Sequence, residues 1–173
     1  VRTRGARASD AVEIYHDRIR DVIPSGLPAT ERARIHLAIA SALEAGGRAE
    51  PHELAHHFHA GGLREAAYRY ARRAGDEAAR GLAFQRAADL YDLARESGPR
   101  SERSTLLERR ADALVHAGHA AESAPLFLRA AADQPAERAW DLRRRAAEQL
   151  LSSGDLVAGV RVVRPLLAEV GLR

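Results

Sequence analysis

The sequence contains no cysteine, no methionine, no lysine and no asparagine. Without cysteine there can be no disulfide, no thiolate nucleophile and no Cys-bearing zinc site. Without lysine there is no Walker A lysine, no kinase-type β3 lysine and no Schiff base to a carbonyl or pyridoxal group. The lack of asparagine removes N-glycosylation and a Cys-His-Asn protease. Aromatic residues make up only 5% of the chain, too few for a sheet sandwich, which draws on β-branched and aromatic side chains. No apolar run approaches the roughly 18 residues of a membrane span, and the N-terminus lacks the apolar core of a signal peptide. Most enzyme chemistry is closed to this chain. It reads as a soluble, cytoplasmic, non-enzymatic protein with no cofactor and no membrane partner.

The 173 residues are 46% hydrophobic, with alanine prominent, and this suits close helix packing. All 27 basic residues are arginine, set against 24 acids for a net charge of +3. The two signs alternate without long blocks, the pattern of solvated helix faces. A chain that starts at Val1 and lacks methionine reads as an internal segment of a longer protein.

Self-similarity is the strongest positive signal. Ala87-Ala88-Asp89-Leu90-Tyr91-Asp92-Leu93-Ala94, followed by Pro99, is matched 36 residues later by Ser123-Ala124-Pro125-Leu126-Phe127-Leu128-Arg129-Ala130 and Pro135. A further step of 36 gives Gly159, Val162, Val163 and Leu166. The preceding helix keeps register in the columns Tyr70/Leu106/Leu142, Gly75/Ala111/Ala147 and Ala78/Leu114/Leu150. Turns fall at Gly81-Leu82, Gly118 and Gly154, and Ala42, Gly46, Leu54, Ala55 and Phe58 fill the slots of a weaker first unit. Each unit is a helical hairpin with small residues where backbones approach and one bulky plug: Tyr91, Phe127 or Val163. A single hairpin cannot bury its apolar stripe, whereas a stack of four can.

Small, aromatic, small and proline at these offsets resemble the tetratricopeptide pattern, stretched in period, over roughly residues 30–173. The usual tryptophan near the start of the first helix is missing, since Ala71, Leu107 and Arg143 hold that slot. The competing reading is an irregular α-helical bundle with accidental periodicity. The resemblance implies an all-α solenoid of about four 36-residue units, near 32–67, 68–103, 104–139 and 140–173. Local signals set helices at Thr30–Ala45 (Thr30 as cap), 51–60 (Pro51 in the first turn), Leu63–Arg80, Ala83–Ser97, Ser101–Ala117, Ala120–Asp133, Ala136–Ser152 and Asp155–Val170. Pro165 is expected to kink or shorten the last.

Residues 1–29 differ. Val12 and Ile14 alternate as in a strand, with a partner near Val1–Arg4 and a helix from Arg18 to Ile23. Val12, Tyr15, Ile19, Val22 and Ile23 equally fit one helical face, so periodicity leaves residues 11–16 open. The runs Tyr15-His16-Asp17-Arg18-Ile19-Arg20-Asp21-Val22, Glu31-Arg32-Ala33-Arg34-Ile35-His36 and Glu53-Leu54-Ala55-His56-His57-Phe58 are similar to a stretch of large bacterial signalling ATPases, the maltose-activator-like regulators and their fusions to serine/threonine kinases. That resemblance implies that residues 1–29 end a winged-helix module, as a strand hairpin plus helix, and that the rest opens a tetratricopeptide arm.

The enzymatic alternative is His52-Glu53-Leu54-Ala55-His56, an HExxH on a helix, with Glu77 as a thermolysin-like third ligand. The extended metzincin form fails at His59 and Gly62, and no strand lies near to hold a substrate. A helix started by Pro51, with Leu54, Ala55 and Phe58 inward, accounts for every position. His52 and His56, thickened by His57 and His59, suit adventitious metal better than catalysis. His116 and His119 flank a helix end, where a cationic group meets the C-terminal dipole. Arg72-Arg73, Arg109-Arg110 and Arg143-Arg144-Arg145 could align as a nucleic-acid stripe. However, Asp76, Glu77, Glu108, Asp112, Asp141 and Glu148 stand beside them, which favours self-neutralised faces.

The remaining candidate is the concave groove through which tetratricopeptide arrays bind peptides or helices. Carrying that register over puts His36, Arg69, Arg72, Asp76, Arg80, Thr105, Glu108, Asp112, His116, Asp141, Arg144 and Glu148 on it. The absence of lysine and asparagine excludes the carboxylate-clamp subclass. The expected function is therefore a protein-interaction or sensor module of a signalling ATPase or kinase, meeting a protein, a peptide or another domain of the same chain. A free-standing repeat adaptor is the alternative.

Overall fold

Alanine-rich helices can stack closely, and the chain uses this throughout. The structure, a computed structural model, describes residues 27–169 and 171, together with the backbone of Arg2–Thr3 and Val12–Glu13. Among the described residues eight α-helices follow one another: α1 Ala29–Gly46, α2 Pro51–Ala60, α3 Arg64–Arg80, α4 Phe84–Ser97, α5 Arg103–His116, α6 Ala120–Ala131, α7 Ala136–Ser152 and α8 Leu156–Glu169. Each packs on the next in sequence, so the array is a series of hairpins. Near the N-terminus, Arg2–Thr3 (β1) pairs antiparallel with Val12–Glu13 (β2) in the register Arg2↔Glu13 and Thr3↔Val12. The expected helix Arg18–Ile23 lies outside the described residues.

The core follows the repeat columns. Ala71, Ala87, Tyr91, Ala94, Leu106, Ala111, Phe127, Ala130, Leu142 and Ala146 belong to one buried cluster that, with Ala55, spans α2 to α7. A smaller cluster, Ala40, Leu54, Phe58, Ala66 and Ala67, joins α1 and α2 to α3. The plugs Tyr91 and Phe127 are buried, whereas Val163 in the last unit is only half-buried. Gly75 shows why its column stays small. A Cβ there would stand 2.7 Å from Cε1 of Tyr91, whose ring lies against α3.

Several helix limits differ from the expected ones for identifiable reasons. Thr30 does not cap α1: Pro28 is the N-cap residue, and no side chain supplies the cap. The Pro28 carbonyl instead accepts the Glu31 and Arg32 N–H groups, each at 3.0 Å, which starts the helix two residues before Thr30. The segment expected as Ser101–Ala117 opens with a 3₁₀ turn, Arg100–Glu102, before α5. Pro165 does not end α8, which runs four residues further to Glu169. In the first unit the left-handed residue is Gly47, not Gly46.

The turns inside units two to four share one geometry, which the α2–α3 turn at Gly62 also adopts. His119 N–H reaches back to Leu114 C=O (2.8 Å), Ala83 to Ala78 (2.9 Å) and Asp155 to Leu150 (2.9 Å). This closure needs a left-handed residue, supplied by Gly118 (φ 82°) and Gly154 (φ 89°). In the remaining turn that position is Leu82, at φ 60°, not the neighbouring Gly81. A left-handed leucine is strained by about 1–2 kcal/mol, and with 73% of its surface exposed it gains little packing in return. Leu82→Gly should therefore raise stability by about 0.5–1 kcal/mol after the added freedom of the unfolded glycine is counted. A urea midpoint that stays put or falls would show that the turn is unstrained.

Candidate functional site

The leading helices α3, α5 and α7 carry the charged residues of the expected groove, and their side chains meet across unit boundaries. Asp76 on α3 pairs with Arg109 on α5, and its Oδ1 also accepts the Tyr91 hydroxyl at 2.9 Å. One unit on, Asp112 on α5 pairs with Arg145 on α7. Both partners lie 33 residues apart. The arginine also covers the aromatic plug of the preceding unit, with Arg109 5.9 Å above the Tyr91 ring and Arg145 4.3 Å above that of Phe127. The result is a repeated device of acid, arginine and aromatic ring that fastens each unit to the next. Glu108 adds to it by accepting from Arg145 (2.8 Å) and from Arg138 (2.5 and 2.6 Å). Asp92 on α4 supplies a further tie, to Arg110 at 2.7 Å.

Proton affinities follow from these surroundings. Burial raises the Tyr91 phenol to about 12, with the Asp76 contact adding to it, so this hydroxyl stays a donor at any physiological pH. Burial also raises the Asp112 carboxyl, and the opposing pull of Arg145 does not fully offset it. Arg144 is held charged by Asp141, at 2.9 Å, and by Glu148.

The structure brings some groove residues together and separates others. Arg69, Arg72, Asp76 and Arg80 line one cleft of about 350 Å3 with Tyr68 and Arg73, and Arg72 donates to the Tyr68 hydroxyl at 3.1 Å. Glu108 and Asp112 face Arg145 in the ladder, while Asp141, Arg144 and Glu148 form a chain of pairs along α7 itself. Thr105 is exposed. His116 stacks on Phe84 of α4, with ring centroids 4.9 Å apart. His36 stands apart from the cleft, since its Nδ1 lies 3.0 Å from Nδ1 of His57, joining α1 to α2. Burial lowers the His57 pKa, and His36 adds to the effect, because two imidazolium rings cannot share that contact. In the sequence Arg109 and Arg145 read as a nucleic-acid stripe or, more favoured, as self-neutralised faces; their pairing across the unit boundary and their place over the aromatic plugs were missed. The legible signal was the 33-residue spacing from acid to arginine, shifted by one repeat.

The HExxH residues take up other tasks. The Glu53 carboxylate accepts the Glu50 backbone N–H at 3.2 Å, capping the helix it would serve as a base. His52 and Glu77 do line a common cleft of about 200 Å3, with Glu50 and Arg86, but Glu77 is paired with Arg73 at 2.9 Å. The His56 pKa is lowered by burial and then by the nearby His52, His59 and Arg86. Among the described residues no three His, Asp or Glu side chains converge as a metal site. His59 instead ties α2 to α4 through the Ser97 hydroxyl at 2.9 Å.

No family model and no curated protein matches the chain. Two solved chains resemble it: a kinesin-light-chain protein of Podosopora anserina with nearly identical TPR-like repeats, and a variant of that protein. The first shares 13% identity over 87% of this chain and 91% of its own, with a TM-score of 0.47. The variant shares 13% over 89% and 93%, with a TM-score of 0.46. Among the described residues no helix is long and apolar enough to cross a membrane.

Proposed function

We propose that this chain is a non-enzymatic, tetratricopeptide-like interaction and sensor module of a larger bacterial signalling ATPase or kinase–ATPase. Its groove takes up a protein or peptide partner, or another part of the same polypeptide, and thereby biases the ATPase switch. The observation that supports this most is the lining of the α3 cleft, where Arg69, Arg72, Arg73 and Arg80 outnumber the single acid Asp76. Asp76 is already engaged by Arg109 and Tyr91, and Arg73 by Glu77, so the cleft presents Arg69, Arg72 and Arg80 to whatever enters. Acidic and hydrogen-bonding groups of a partner segment fit that surface, and tyrosine and arginine are the side chains that dominate protein contacts. A partner shifts the switch only by the difference in its affinity for the two states, which sets the limit on signalling strength.

The test uses the full-length protein, with Arg72→Glu and Arg144→Glu. Arg72 is exposed and Arg144 partly exposed, so circular dichroism of each variant first checks that the fold survives. Loss of partner capture, or a changed ATPase rate on Arg72→Glu, is the expected result. If neither variant alters any partner contact or the ATPase rate, the groove is a solvated face and the reading fails.

A further inference from the structure

Arg100, Arg103 and Arg129 take no part in the pairing that joins the units. They line one cleft of about 490 Å3, between the start of α5 and the end of α6, together with Ser101, Asp133 and Gln134. None of the three guanidinium groups makes a hydrogen bond or ion pair to any described residue. Arg95, Arg109, Arg110, Arg138 and Arg145 nearby are all ion-paired, so this cleft collects cations that the scaffold leaves uncompensated. Three positive charges against the one carboxylate of Asp133 leave it at +2.

The repeat does not call for this cluster. One unit earlier the arginine positions hold Arg64, Ala67 and Leu93, and one unit later Ala136, Ala139 and Pro165. Ala67 and Ala139 are buried (0% and 4% exposed) and seal that corner in their own units. The third unit instead places an exposed arginine there and opens a cleft. Its wall is braced, because Gln134 donates to the Ser104 hydroxyl at 2.9 Å, which in turn donates to Ala130 C=O at 2.5 Å.

We propose that this cleft binds a doubly charged phosphate group. Guanidinium forks match phosphate oxygens in pairs, and several forks exceed what one carboxylate can accept. The charge of +2 matches a dianion, and the volume falls in the range of small-ligand sites. The site is separate from the α3 cleft, so it stands or falls independently of the groove.

The experiment titrates inorganic phosphate, mainly the dianion at pH 8, into the chain at constant ionic strength, with heats of binding as the readout. A capped Gly–phosphoserine–Gly peptide and its unphosphorylated form are the second arm. Saturable binding is expected for inorganic phosphate, for the phosphopeptide, or for both, and the pattern tells a free phosphate from a phosphorylated chain. Arg103→Gln with Arg129→Gln should weaken it at least about tenfold, the scale of one charged hydrogen bond lost. The control, Arg161→Gln with Arg164→Gln on α8, removes the same charge outside the cleft and should leave affinity unchanged. Both pairs are exposed, so circular dichroism should report an intact fold. Absence of saturable binding by both probes overturns the proposal. So does an equal loss in the control, which would mean general attraction to a basic protein. Binding that survives Arg72→Glu separates this site from the groove.

Discussion

Phe127→Ala should lower the stability of the chain by about 3–5 kcal/mol, read as a shift of the urea midpoint. Phe127 is among the largest fully buried side chains, at 1% exposure, and belongs to the cluster that joins α2 to α7. Truncation would empty the plug between units three and four and leave Arg145 over a void. The same slot in the last unit holds half-buried Val163, so Val163→Ala should cost only a fraction as much. Phe127→Tyr provides a sharper contrast. Tyr91 holds the equivalent position one unit earlier and donates to Asp76, and the residue equivalent to Asp76 is Asp112. A hydroxyl at position 127 therefore has an acceptor in the matching place, and the cost should stay below about 1 kcal/mol. Comparable losses for tyrosine and alanine would mean that the two units are not built alike.

Arg145→Gln should cost about 2 kcal/mol at pH 7, a value between a buried pair broken on one side and an exposed pair. Arg145 is 23% exposed and serves Glu108, Asp112 and the Phe127 ring together. Its removal leaves Asp112 without its cation, while Arg138 still holds Glu108. The loss should depend on pH in a definite sense. The folded-state pKa of Asp112 is already raised by burial, and Arg145 is the largest influence pulling it down, so the substitution raises it further. A carboxyl raised on folding adds stability below its unfolded pKa and loses it as pH rises through the folded value. The gap between variant and parent should therefore be smallest near pH 3–4 and full by pH 7. A gap independent of pH would assign the whole effect to packing against Phe127.

Much of this architecture was legible in the sequence because the repeat columns are governed by volume. Gly75, Ala111 and Ala147 are small where helices touch, Tyr91 and Phe127 are large where units meet, and volume shows directly in residue identity. Helix limits between Gly and Pro punctuation were also readable, for the same local reasons. What escaped was set by context. Thr30 has the chemistry of a cap, but Pro28 starts the helix first. Leu82 carries no mark of a left-handed residue; only its alignment with Gly118 and Gly154 betrays it. Pro165 breaks a helix in isolation but is carried within α8. The groove residues were chosen by register, and register cannot tell a free arginine from one locked to the next unit. Arg144, expected to face a partner, is held by Asp141 and Glu148, while the unpaired Arg100, Arg103 and Arg129 lay outside the expected set.

The units are fastened to one another by an acid, an arginine and a ring, repeated in register. The most direct measurement is a double-mutant cycle on Asp112→Asn and Arg145→Gln, followed by urea unfolding at pH 7. A coupling energy of about 1 kcal/mol is expected, with a similar value for Asp76→Asn and Arg109→Gln one unit earlier. Coupling near zero at both pairs would contradict the account, leaving apolar packing alone to hold the units in line.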